Sequence, residues 1–295
     1  MPFSPRFTLT PRLQRQLVSI DMTRGFLQAV RMREDWAQTV RHEVRVEDAL
    51  ASVQIEGASL TLQEAFALAK DRAPQRTLRD SEREFLNYLR AFDAVDDLRG
   101  ERDADIRLGD IRNLHALLVD GVRGGERYAG KTRREAVAVG DRDGDTVIVH
   151  HQPPPWAEVD DHLRDLLAWL VEAKAKPTPA QIARGVADTW VHPVLVAGIA
   201  QHRFVWVHPF LDGNGRTARM FTTLLLYQRG YDFKYLFNLS DYYNRQRDKY
   251  YEALRTSDRT GDYTAWLEYF CGGLALQMYR VREKAKKVAA GISEE

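Results

Sequence analysis

A single cysteine, Cys271, in 295 residues leaves no partner for an internal disulfide and no CxxC pair for a zinc site. Excess charge of one sign is equally scarce. With 43 Lys+Arg against 42 Asp+Glu the net charge is only +1, so no global field draws the chain onto nucleic acid or an anionic membrane. Long apolar runs are missing too: Val194 to Ala200 and Thr222 to Tyr227 fall far short of the roughly 18 to 20 residues of a membrane helix, so no span is expected. The N-terminus, MPFSPRFTLTPRLQRQ, lacks an apolar h-region and a small-residue cleavage site, which points to a cytoplasmic protein. There is no Ser/Gly linker, no low-complexity stretch and no internal repeat. What remains is 44% hydrophobic and 29% charged, with enough apolar material for one large domain or two small ones.

Helical periodicity dominates that material. Leu13, Leu17, Ile20 and Leu27 share one face, and Val40, Val44, Leu50 and Val53 mark a second amphipathic segment. Capping boxes at Thr61/Glu64 and Ser81/Glu84 open further helices, the latter ahead of Phe85, Leu89, Phe92 and Val95. Asp110 reads as the N-cap of a helix carrying Ile111, Leu114, Leu117 and Leu118. Then the texture changes. Ala136-Val-Ala-Val, the turn GDRDGD and Thr146-Val-Ile-Val form the one strand signal, a β-hairpin closed by three prolines at 153 to 155. Helices follow at about 157 to 173, 179 to 191, 194 to 207, 215 to 229, 241 to 257 and 263 to 289. The expected class is all-α with a small hairpin.

Chemistry concentrates in His208 to Arg219, HPFLDGNGRTAR. Pro209 disfavours the α conformation at His208 and places the imidazole at a helix exit. Gly213, Asn214 and Gly215 supply a tight turn into the next helix, whose first amides have no partner inside it and face outward as an anion site. Arg216 and Arg219, three apart, are expected on one side of that anion. Asp212 is a hard oxygen donor suited to a Mg²⁺ that also touches phosphate oxygens. A base, a metal ligand, an anion cradle and two arginines in twelve residues describe a polyphosphate site.

This window resembles the Fic family signature, HPFx[DE]GNGRxxR, at every specified position, a coincidence expected in roughly one window in 10¹¹. HPVLVAGIAQHRFVWVHPF upstream, SDYYNRQRDKYYEAL with GDYTAWLEYF downstream, and Gly130-Lys-Thr-Arg with the hairpin extend the likeness to about residues 40 to 275. The resemblance implies a helical bundle with a hairpin flap, divided as 1–106 (an N-terminal helical region carrying an inhibitory helix at about 44–57), 107–230 (the catalytic core) and 231–295 (helices completing a nucleotide pocket). It implies a protein adenylyltransferase that moves AMP from Mg-ATP to a hydroxyl side chain of a target protein, the chain itself included. His208 is then the general base, since a hydroxyl is a poor nucleophile at pH 7. Gly213, Asn214, Gly215, Arg216 and Arg219 hold phosphates, Asp212 holds Mg²⁺, Tyr250 and Tyr251 flank adenosine, and Ile148, Val149, His150 and His151 form the flap that docks nucleotide or target.

Ser52-Val-Gln-Ile-Glu56-Gly57 fits the inhibitory motif [ST]xxxE[GN] of one class of the family, and Glu56 is the only glutamate followed by Gly or Asn. The implied brake pairs Glu56 with Arg219, the guanidinium that the γ-phosphate needs. Ordinary structural alternatives stand beside these roles: a solvated helix-end charge for Glu56, core packing for Tyr250 and Tyr251, and a packing histidine at His202. Zinc at His150-His151 lacks further ligands at suitable spacing. Two rival functions use the same residues, removal of AMP with Glu56 orienting water, and a nucleotide-sensing module with vestigial catalysis. The expected partners are ATP and a hydroxyl-bearing protein, with a homodimer common in the family and neither membrane nor nucleic acid.

Overall fold

The structure, a computed structural model, describes residues 2–31, 34–71, 75–99, 105–143, 146–173 and 190–289. The order is α1 (Pro11–Ala29), α2 (Glu34–Ile55), α3 (Leu62–Lys70), α4 (Asp80–Arg99), α5 (Leu108–Leu118), β1 (Val139–Asp143), β2 (Thr146–His151), α6 (Val159–Glu172), α7 (Pro193–Val207), α8 (Asn214–Gln228), α9 (Leu239–Arg245), α10 (Arg247–Thr260) and α11 (Thr264–Ala289). It is a helical bundle with one two-stranded antiparallel sheet among the described residues. No helix among them is long and apolar enough to cross a membrane.

At the centre lies the pair α7 and α8. The α7 sequence is apolar on nearly every side, and Pro193 to His202 are buried without interruption; α8 carries Arg216, Arg219 and three threonines, yet Arg216 to Tyr227 are buried as well. A helix buried all round needs neighbours on every face, and α4, α5, α6 and α11 supply them. Pro193 occupies the first turn of α7, where a missing N–H costs nothing, and His192 caps it by accepting from Val194 N–H. Leu13, Leu17, Ile20 and Leu27 of α1 are all buried.

Several local expectations are corrected. The Thr61/Glu64 capping box forms. Ser81/Glu84 does not, because α4 begins at Asp80 and Glu82 accepts from Arg79 N–H, which frees Glu84 to turn inward. Asp110 is not an N-cap: the helix starts two residues earlier, and Asp110 closes its first turn by accepting from Arg107 N–H. The hairpin is shifted. Gly140 to Asp143, read as turn, pair with Val149 to Thr146, while 136 to 138 lie outside the strand. The stretch 241 to 257 is two helices, broken at Gln246, whose φ of −127° is not helical. The helix expected over 179 to 191 lies almost wholly outside the described residues.

Candidate active site

The loop 208–213 joins the two central helices. His208 ends α7 in the left-handed region, φ 48°, a conformation that costs a non-glycine residue about 1 to 2 kcal/mol. Pro209 makes the strain intelligible, since it disfavours continued right-handed helix at residue 208. Arg133 holds the strained carbonyl. Its side chain is buried, and Nε donates to His208 O at 2.8 Å while Nη2 donates to Pro154 O at 2.6 Å, tying the flap root to the loop. His208 Nδ1 is buried with no hydrogen-bond partner among the described residues. Burial first, then the neighbouring His151, lowers the imidazole to about 4, so it is neutral at pH 7 and able to accept a proton.

Gly213, at φ 77°, turns the chain into α8 in a conformation glycine adopts without strain. A Cβ there would also stand 2.8 Å from Val119 Cγ1. Asn214 spends its side chain inside the loop, donating to Phe210 O at 2.8 Å and accepting from Phe210 N–H at 2.9 Å. Gly213 N–H donates to Asp212 Oδ1 at 2.6 Å, so this amide is taken within the cradle expected to hold phosphate. The following first-turn amides of α8 have no acceptor within the helix.

Arg216 and Arg219 part company. Arg216 is buried and pairs with Glu84 of α4 at 3.1 Å and with Asp212 at 3.5 Å. Arg219 reaches α2 instead: Nε donates to Ser52 Oγ at 2.8 Å, and Nη2 donates to Ser52 O at 2.9 Å and to Glu56 Oε1 at 2.8 Å. A Cβ on residue 215 would overlap Glu56 Oε1, so the carboxylate lies against Gly215 at the N-terminus of α8. Burial raises the Glu56 pKa, but Arg219 and then Arg216 outweigh it, and the carboxyl is held below its ordinary range. An acidic side chain thus fills the place an anion would take.

Beside the loop, a cleft of about 440 Å³ runs between the hairpin and α10, lined by Val139, Gly140, His150, His151, Tyr251 and Asp258 among others. Its volume suits a small ligand. Tyr251 links it to the anion site. Burial, then the Glu56 charge, pushes its phenol up to about 12. Tyr250 is 2% exposed and stacked on Tyr243, ring centroids 4.5 Å apart, with its hydroxyl at Arg219 beside Glu56. Ile148 and Val149 are about half exposed and His150 is exposed, whereas His151 turns inward, bonding Trp206 O at 2.8 Å and facing Asp258 at 3.5 Å. His202 is a buried packing histidine on Leu254 O.

Sequence reasoning missed His115 and Glu84. His115 Nδ1 accepts from Gly130 N–H at 2.9 Å, which puts the proton on Nε2 to donate to Asp212 O at 3.0 Å, and the ring stacks on Phe210 at 3.6 Å. Both residues fall on apolar stripes, His115 with Ile111 and Leu118, Glu84 with Tyr88 and Phe92. A polar side chain on a core-facing stripe was the available signal.

A neutral imidazole beside a helix start whose anion position is taken by Glu56, with a cleft of small-ligand size alongside, is an arrangement chemically suited to phosphate chemistry. Residues 105–226 match the Fic/DOC family. The chain thus carries a segment similar to Fic domains. It is 27% identical over 272 residues to a Drosophila yakuba protein named Protein adenylyltransferase Fic, the match covering 90% of this chain and 48% of that one. The chain therefore spans about half the length of the curated relatives it matches. Its fold is shared with a Fic family protein from Desulfovibrio desulfuricans, TM-score 0.76 at 23% identity over 99% of this chain and 87% of that one. A Fic domain containing signaling protein from Bacteroides thetaiotaomicron gives 0.68 at 18% identity over 96% and 100%.

Proposed function

We propose that this chain transfers AMP from Mg-ATP to a hydroxyl side chain of a protein, and that Glu56 restrains the reaction. The observation that carries the reading is the Glu56 carboxylate seated between Arg219 and Gly215, at the helix start next to a neutral His208. His208 takes the hydroxyl proton as the oxygen attacks the α-phosphorus; the new P–O bond forms as the bond to pyrophosphate breaks, and pyrophosphate leaves. Charge growing on the phosphate oxygens meets the first-turn amides of α8 and Arg219. Asp212 fits a Mg²⁺ site: its carboxylate is partly exposed beside the cradle, and no cluster of three or more His, Cys, Asp or Glu stands among the described residues, so the other ligands would be phosphate oxygens and water. Bound there, the ion would supply Lewis-acid stabilisation of the phosphates. Adenosine is assigned to the cleft beside Tyr251.

Three arginines, Arg123, Arg216 and Arg219, face three carboxylates, Glu56, Glu84 and Asp212. With Glu56 in place the site offers a polyphosphate no net positive charge, and Arg219 lacks a free fork. Glu56→Gly should therefore raise incorporation of α-labelled ATP into the chain and into targets at least tenfold, the worth of one charge-assisted bond of about 1.5 to 3 kcal/mol. Adding Arg219→Ala should cancel most of the gain, because both changes act on one pair. Unchanged or lower labelling by Glu56→Gly, with folding and ATP affinity intact, rejects the brake. Retention of γ-label in place of α-label rejects AMP transfer.

A further inference from the structure

Outside the signature, one residue of the segment between α5 and the flap reaches the same site. Arg123 lies in the left-handed region at φ 47°, between Gly121 at 63° and Gly124 at 76°. A non-glycine residue held there is strained, and such strain persists where the surroundings or the function demand that side chain. Its side chain is 49% exposed, yet Nη2 stands 3.2 Å from Oε1 of Glu84, whose side chain is 1% exposed. The same oxygen is 3.1 Å from Nη1 of Arg216. Asp212 closes the other side, with Oδ1 at 3.5 Å from Arg216 Nη2 and Oδ2 at 3.9 Å from Arg123 Nη1. Two carboxylates thus hold two guanidinium groups side by side at the edge of the cradle.

Arg216 already pairs with Glu84, yet burial holds the Glu84 carboxyl above its ordinary range even with both arginines beside it. The ring is therefore not saturated. Nε and Nη1 of Arg216 are buried without a hydrogen-bond partner among the described residues, despite the ion-pair contact, and orphaned buried donors mark a place for an acceptor such as water or an anion. We infer that Arg123 is a phosphate-contacting residue that, with Arg216, grips the pyrophosphate part of the nucleotide rather than its AMP part. The inference rests on the polyphosphate reading of the loop and deepens it by assigning which phosphates this corner takes. Occupation of Asp212 by a cation would release Arg123 from that carboxylate and leave its exposed edge for the departing pyrophosphate. Fork-shaped donors on adjacent arginines match two linked phosphates, whereas a single phosphate next to ribose offers fewer acceptors.

The test uses the full chain carrying Glu56→Gly, titrated calorimetrically with inorganic pyrophosphate and separately with AMP, both with Mg²⁺. Arg123→Ala added to it should weaken pyrophosphate binding at least tenfold and change AMP binding less than twofold. Arg123→Lys, which keeps the charge but loses the fork, should fall between. Arg123→Gly should lose pyrophosphate as Arg123→Ala does while melting at a higher temperature than Arg123→Ala, since glycine removes the strain. Equal pyrophosphate affinity with and without Arg123 overturns the assignment and leaves the polyphosphate reading standing. An equal loss for AMP also overturns it, by making Arg123 a general support of the site. A lower melting temperature for Arg123→Gly than for Arg123→Ala removes the strained backbone from the case. If the Glu56→Gly chain binds neither ligand, the polyphosphate reading itself fails and this assignment with it.

Discussion

His208 shows how much one residue can carry and how much of that is set by its surroundings. The ordinary imidazole value of 6.5 would leave a proton acceptor partly charged in mildly acidic solution, but burial lowers His208 to about 4. Because the neutral form is the base, kcat/KM of the Glu56→Gly chain should stay level as pH falls from 7 to about 5 and drop only toward 4. Loss of half the activity near pH 6.5 would contradict a buried base. His208→Ala should slow transfer by on the order of 10² to 10⁴ while ATP affinity, measured calorimetrically, changes only a few-fold. At this scale the sequence was most legible in the signature, because its residues are neighbours in the chain and their spacing fixes their geometry. The departures lie where partners are distant. The spacing of Arg216 and Arg219 put them on one anion, but spacing could not reveal that Glu84 claims one and Ser52 and Glu56 the other. Tyr250 and Tyr251 are adjacent, and only packing separates the stacked residue from the cleft residue.

Among elements, α2 is the working part. Its last turn closes with Glu56 N–H donating to Val53 O and Gly57 N–H donating to Gln54 O, Gly57 lying at φ 94°. Gln54 is held in turn by Asn244 Nδ2 at 2.9 Å. The Glu56 carboxylate is therefore delivered by a helix end rather than by a free side chain, and the turn's geometry sets its reach. A Cβ at residue 57 would meet nothing within 4 Å, so Gly57→Ala adds only backbone strain, on the order of 1 to 2 kcal/mol. The turn should relax and carry Glu56 off Arg219. The expected result is a faster basal incorporation of α-label with a small fall in melting temperature; no gain in labelling would mean that the turn does not place the carboxylate. The hairpin shows where element reading fails. β-branched runs suggested strands at 136–139 and 146–149, yet pairing runs through Gly140-Asp-Arg-Asp143, because backbone hydrogen bonds and the flap root fixed by Arg133 set the register, and neither leaves a mark in side-chain pattern.

At the scale of the molecule, one hydrophobic core runs from Leu13 of α1 to Ala285 of α11, and the N-terminal segment is fastened to the far end of the chain. Tyr263 N–H donates to Arg6 O at 2.8 Å, Thr8 N–H to Thr264 Oγ1 at 2.8 Å and Thr10 Oγ1 to Glu268 Oε1 at 2.6 Å. Protonation of a buried group in this core acts on the whole fold, and three histidines make the point testable. His115, His202 and His208 are each lowered by burial from 6.5 to about 4. Between those values the unfolded chain binds their protons and the folded chain does not, so stability rises with pH in this window. What they contribute is complete above 6.5 and is lost as pH falls to about 4, on the order of 3 kcal/mol for each at the acid end. Asp48 opposes them. Burial raises its carboxyl from 3.8 to about 6, so the folded state binds the proton more tightly and acid stabilises through it between those values, as it does in direction through Glu47, Glu84 and Asp258. The carboxyls of Glu56, Glu64 and Glu82, held below their ordinary range by their arginine and backbone partners, add to the histidines, and the expected net result is acid loss. Urea unfolding at intervals from pH 7.5 to 4.5 should show a stability that begins to fall near 6.5 and steepens below 6, with the slope of the urea dependence unchanged. His202→Gln, which keeps a donor toward Leu254 O and cannot be protonated, should flatten that fall by about one histidine's share. A stability constant from pH 7 to 5 would mean that these imidazoles are not held neutral inside the fold, and the assignment of His208 as a base poised without a proton would fall with it.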